Sequence, residues 1–145
     1  MDAWTSVFRI AVGGYWLYFA SQKWTGVEWV RPLIQKAPGV NPIPGLHELL
    51  AVLVAPNWFI FAVLQTAGET TVAVLLILGL FTRAAALLGL LLAAGLALTI
   101  AFLDADIGSR WLYYLAVLVN AQVLFAGAGP LALDRRFGGR RWLAS

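Results

Sequence analysis

Residues 56–103 read PNWFIFAVLQTAGETTVAVLLILGLFTRAAALLGLLLAAGLALTIAFL. The run is apolar almost throughout, and its charged residues are Glu69 and Arg83. A bilayer core takes about 20 helical residues to cross. This stretch is long enough to cross twice, with a tight turn near Thr82-Arg83. The expectation is an antiparallel hairpin of two spans, about 56–81 and 83–103.

Working outward, two further apolar segments have spanning length: about 4–24 before the hairpin and about 110–127 after it. The fold expected is all-α, an integral membrane four-helix bundle in a single domain. The whole chain agrees with this. Of 145 residues, 61% are hydrophobic and 12% charged. Soluble domains carry roughly 45–50% apolar residues, counting glycine, and about 25% charged ones. A soluble globule this small has too much surface to cover with so few charges. The balance excludes an ordinary cytosolic enzyme, a disordered chain and a nucleic-acid-binding domain. No cleavable leader is expected, because the first positive charge, Arg9, lies inside the first apolar stretch.

Residues 25–55 form the longest polar segment. Pro32, Pro38, Pro42 and Pro44 exclude one continuous helix there. Within it, residues 43–54 read IPGLHELLAVLV, with Leu46, Leu49, Leu50 and Leu53 at helical spacing. That pattern predicts a short helix in the membrane interface. Four of the ten basic residues, Arg135, Arg136, Arg140 and Arg141, crowd the tail 134–145. With the net charge of +3, this cluster reports orientation and not nucleic acid. It puts both termini in the cytoplasm and the long loop outside. Trp24, Trp29, Trp58 and Trp111 fall at the outer interface, and Trp4 and Trp142 at the inner one.

The chain has no cysteine and one histidine, His47. Thiolate metal sites, iron–sulfur clusters and covalent haem held by this chain are thereby excluded, and no metal or haem is expected. Function is sought among polar groups that lipid rejects. Glu69 lies near the middle of the second span, where a carboxylate costs about 2.5–3.5 kcal/mol or more by insertion scales. Gln65 is one turn away on the same face, with Thr66 and Thr70 beside it. Arg9 and Lys23 share a stripe of the first span with Gly13 and Trp16. Arg9 either snorkels to the cytoplasmic interface or reaches inward to Glu69. Asn120 of the fourth span comes to the depth of Glu69 within roughly one turn, as do Tyr15 and Trp16. Ala85, Gly89, Ala93 and Ala97 give the third span a small-residue face for close packing. Buried Gln, Asn and Thr also serve purely to bond helices together, at about 0.6 kcal/mol each.

Three motifs in order carry a family resemblance. The first span has Arg9, Gly13 and Lys23 in FRIAVGGYWLYFASQKWTG. The second continues from Glu69 into LGLFTR, residues 78–83. The fourth closes on AGAGPLALD, residues 126–134, with Ala132 where serine is common. Together they resemble the DoxX family of four-helix membrane proteins, which includes the DoxX/DoxD-type membrane subunits of thiosulfate:quinone oxidoreductase. The resemblance implies a multipass protein of a prokaryotic plasma membrane, tied to quinone redox chemistry or to a partner redox subunit.

On that footing the expected function is the membrane subunit of a quinone-linked oxidoreductase. Glu69 acts as proton donor or acceptor, and Arg9 sets its charge state. Tyr15, Trp16, Gln65 and Asn120 line the quinone or small-ligand pocket. Lys23 and Arg31 attract an anionic electron donor. One alternative is a non-catalytic anchor or assembly subunit, docking through residues 43–54 or as a homo-oligomer. The other is a small transporter or lipid-binding protein, although four spans without an internal repeat do not match the usual transporter plan.

Overall fold

The computed structural model describes residues 3–135. The rest of the basic tail, with Trp142, lies outside the described residues. All regular structure among the described residues is helical. The long helices are α1 (Ala3–Trp24), α4 (Trp58–Leu78), α5 (Thr82–Leu98) and α6 (Ile107–Ala126). Between α1 and α4 come α2 (Arg31–Val40) and the four-residue α3 (Leu46–Leu49), which continues as a π-helical turn, Leu50–Val54. Two helical stretches, Trp58–Leu78 and Thr82–Leu103, are long and apolar enough to cross a membrane.

The α4–α5 connection lies earlier than the sequence suggests, at residues 79–81. Helix α4 ends at Leu78 because Gly79 turns left-handed (φ 70°), and its N–H closes on the Leu75 carbonyl. Glycine is the residue that takes this C-terminal conformation without steric cost. Phe81 is also left-handed (φ 46°), and α5 starts at once on Thr82. So Thr82 and Arg83 open the helix and do not form the turn. At its far end α5 stops at Leu98, and the chain continues as a 3-10 turn, Ile100–Leu103. Helix α6 starts three residues earlier than its apolar run, because the Asp106 side chain accepts from the Ser109 N–H at 2.9 Å.

Helix α1 packs chiefly on α4, α5 on α6, and α4 on α5. Gly13 sets the α1–α4 register. A Cβ there would lie 3.0 Å from the Ile77 backbone N and 3.2 Å from the Ala73 carbonyl, so only glycine admits this approach. At the end of the bundle that holds the α4–α5 turn, Val12, Val72, Ala73, Leu76, Ala85, Ala86 and Val123 form a solid core. The opposite end carries residues 25–57. There α2, unexpected from a stretch with Pro32 and Pro38, packs on α4 and on the Ile100–Leu103 turn. Pro32 is tolerated because it sits in the first turn, where no helical N–H bond is lost. The Asn41 amide ties the end of α2 to the Leu98 carbonyl at 2.8 Å.

The outward faces are apolar along all four long helices. Val7, Ile10 and Tyr18 on α1, Ile60 and Leu64 on α4, Leu87 and Leu91 on α5, and Leu118 and Phe125 on α6 are all exposed.

Candidate functional site

Glu69 sits at the middle of α4 and is 1% exposed. Its partner is Lys23, in the last turn of α1. The Lys23 Nζ donates to Oε2 at 2.6 Å and to Oε1 at 2.7 Å. Gln65, one turn earlier on α4, donates its Nε2 to Oε1 at 3.0 Å. A long Lys stem running back along α1 brings the ammonium to the carboxylate. The other half of the polar stripe is spent locally. Thr66 and Thr70 donate to the carbonyls one turn back, Ala62 at 2.7 Å and Thr66 at 2.8 Å. The Thr70 Oγ also accepts from the Trp24 Nε1 at 3.0 Å.

The Lys23–Glu69–Gln65 cluster borders a cavity of about 740 Å³. Its aromatic walls are Tyr15, Trp16, Phe19 and Tyr113, and its roof is Trp29, Val30, Leu33, Ile34 and Ala37 from the loop segment. Thr99 and Asp104 add polar groups from the ends of α5 and the following turn. Towards the solid core the cavity stops where the Trp16 Nε1 donates to the Asn120 Oδ1 at 3.0 Å. Gly89 faces this bond, and a Cβ there would run into the Asn120 side chain.

Of the residues singled out in the sequence, Glu69, Gln65, Tyr15, Trp16 and Lys23 share this cavity. Arg9, Lys23, Asn120 and Arg31 are not placed as expected. Arg9 does not reach Glu69. It is fully buried at the opposite end of the bundle. Its Nε donates to the Ala128 carbonyl at 2.9 Å, its Nη1 to the Leu76 and Ile77 carbonyls, and its Nη2 to the Leu131 carbonyl at 3.2 Å. The cause is local: the last carbonyls of a helix have no intrahelical donor, and α4 ends just there. Lys23, expected to serve an external anion, is the ion-pair partner instead. Asn120 is not a wall of the cavity, since its Nδ2 donates to the Ala116 carbonyl at 2.7 Å and its Oδ1 is taken by Trp16. Arg31 is exposed in the first turn of α2, with its guanidinium 5.4 Å from the Trp58 ring centre. It is joined to Trp58 and not to Lys23.

Arg9 belongs to a second cluster that fastens the start of α1 and residues 128–134 to the α4–α5 turn. The Asp134 carboxylate accepts from the Phe81 N–H at 2.8 Å and the Thr82 N–H at 3.2 Å, while its own N–H donates to the Gly79 carbonyl. The Ser6 hydroxyl accepts from the Leu131 N–H at 3.0 Å. The motifs LGLFTR and AGAGPLALD therefore meet at one structural knot. Asp134 as the cap of α5 was not foreseeable from local sequence, since 52 residues separate it from Thr82.

No family model matches the chain, and neither a curated protein nor a solved structure matches it.

Proposed function

We propose that the chain is a multipass membrane protein of the DoxX type, and the membrane subunit of a quinone-linked oxidoreductase. All four long helices cross the bilayer, the α4–α5 turn and both termini facing the cytoplasm. The exposed apolar side chains along α1 and α6, such as Val7, Ile10, Leu118 and Phe125, support four spans over two. Arg83 and the tail arginines support the orientation.

The observation that carries the functional reading is the cluster of Lys23, Gln65 and the buried Glu69 at the edge of a mostly apolar, aromatic-walled cavity. Such a cavity, apolar with a few convergent polar groups, is the general form of a small-molecule site, and about 740 Å³ lies within the usual 300–1,000 Å³. These residues would suit a quinone: Tyr15, Trp16 and Phe19 would hold its ring, and Lys23 and Gln65 would offer N–H donors to a carbonyl oxygen. When bound, the quinone supplies two-electron, two-proton redox chemistry. Lys23 and Gln65 orient the ring and favour negative charge on the oxygen they face. Glu69 holds or releases a proton at its carboxylate, beside the same oxygen. The roof of α2 keeps water from the cluster. The chain has no cysteine, so electrons come from a partner redox subunit or a small soluble donor and not from a thiol of its own.

The test is quinone titration of the purified protein in nanodiscs, with Glu69→Gln beside wild type. Weaker binding or lost turnover in Glu69→Gln, compared on the folded fraction because the unpaired Lys23 lowers stability, supports the proposal. Equal affinity and turnover contradict it.

A further inference from the structure

The cavity is closed unevenly. Helix α2 covers the side between α4 and α5, resting on α4 and on the Ile100–Leu103 turn, with Asn41 bonded to the end of α5. The seam between α1 and α6 has no such cover. These two helices are tied together by Trp16 and Asn120, and the cavity lies entirely on the loop side of that tie. There its walls are Phe19 on α1 and Leu112 and Leu115 on α6, residues that line the cavity and are also exposed on the outside of the bundle. The same apolar side chains thus face both the cavity and the surroundings.

We propose that this gap is a lateral window into the acyl-chain region of the bilayer, and that the ligand is a tailed amphiphile. Its polar ring sits at Lys23, Glu69 and Gln65, and its apolar chain leaves between α1 and α6. A soluble polar substrate would have to cross an apolar rim to reach the cluster. A membrane-dissolved one enters along its own solvent. The window also accounts for the size of the cavity, which one ring does not fill. This rests on the head-site reading above but separates from it, because the window acts on the tail alone.

The experiment compares two probes in nanodiscs of phosphatidylcholine: 2-methyl-1,4-naphthoquinone, and the same ring carrying a two-isoprene tail. Affinity is expressed per mole fraction in the membrane, so that partitioning cancels. Leu112→Trp and Leu115→Trp each narrow the window from α6, away from the residues that would meet the ring. Both positions are exposed, and folding is checked by thermal unfolding. The expected result is tighter binding of the tailed probe, with each variant weakening it about tenfold, the effect of leaving roughly two tail methylenes unburied. The tail-less ring changes less than about twofold, within ordinary surface-mutation scatter. If both probes bind wild type equally and neither variant discriminates between them, the window is overturned and the head site stands. If neither probe binds wild type, the quinone reading fails and the window fails with it.

Discussion

Lys23 and Glu69 are joined at 2.6 Å across the α1–α4 interface, with the carboxylate 1% exposed and the lysine side chain 10%. An ion pair in this position is costly to form, and removing one partner is costlier still, because a single uncompensated charge stays buried. Glu69→Leu or Lys23→Met alone should each destabilise the protein by about 3–5 kcal/mol. The double variant should recover most of that loss. Thermal unfolding in one detergent measures all three. A double variant as unstable as the sum of the singles would show that the two residues act independently.

Arg9 should behave differently from Glu69. It satisfies carbonyls of α4 and of residues 128–131, far from the cavity. Arg9→Met leaves several buried acceptors without donors, at about 1–3 kcal/mol for each. The expected outcome is a large drop in unfolding temperature. In whatever fraction stays folded, quinone affinity should be unchanged. A selective loss of affinity at full stability would return Arg9 to the site.

Asp134 caps α5 from across the chain. Asp134→Ala should cost about 1–2 kcal/mol, the upper part of the range for N-cap loss, since two backbone N–H groups lose their acceptor. Asp134→Asn keeps an acceptor oxygen and should cost less. Phe81 makes this sharper, because its left-handed backbone is held by the same carboxylate. Denaturation curves of the two variants settle the order.

Register between α1 and α4 is tested by adjacent glycines. Gly13→Ala places a methyl against α4 backbone and should cost about 1–3 kcal/mol by overpacking. At Gly14 a Cβ meets nothing within 4 Å. Gly14→Ala should therefore be neutral or slightly stabilising, as alanine is the better helix former. Equal effects at the two positions would contradict the α1–α4 contact.

Acid should loosen the start of α6. The Asp106 carboxyl is held below its ordinary value of 3.8 by the backbone N–H of Ser109, then by that of Gly108. A lowered folded value means that its contribution is complete above the ordinary value and is lost as pH falls through the folded one. Amide exchange at Ser109, relative to its intrinsic rate, should rise below about pH 4. In Asp106→Asn that step should be absent.

Helical class and the approximate places of the four long helices were legible in the sequence, because apolar runs of spanning length have few alternatives. Their ends were not. Asp106 extends α6 backwards through a side-chain cap, and Gly79 ends α4 before the apolar run ends. Glu69, Gln65, Tyr15 and Trp16 were legible as one level because helical rise fixes depth along each helix. The partner of Glu69 was not. Arg9 and Lys23 lie on the same stripe, and choosing between them requires the α1–α4 register. Gly13 sets that register by its fit to Ala73 and Ile77, a contact between segments about sixty residues apart. The direction of Asn120 was not legible, since its amide is taken by Trp16 and by the Ala116 carbonyl one turn back. Helix α2 escaped because its prolines discourage helix, whereas its burial against α4 and the Ile100–Leu103 turn favours it.

The Lys23–Glu69–Gln65 cluster is proposed to hold the polar ring of a membrane-dissolved ligand. A density map of the protein extracted with its native lipid tests it most directly. Ring-shaped density is expected against Lys23, Glu69 and Gln65, with a tail running out between Phe19 and Leu115. A cavity collapsed around the ion pair, or filled only by acyl chains that leave the cluster untouched, would contradict it.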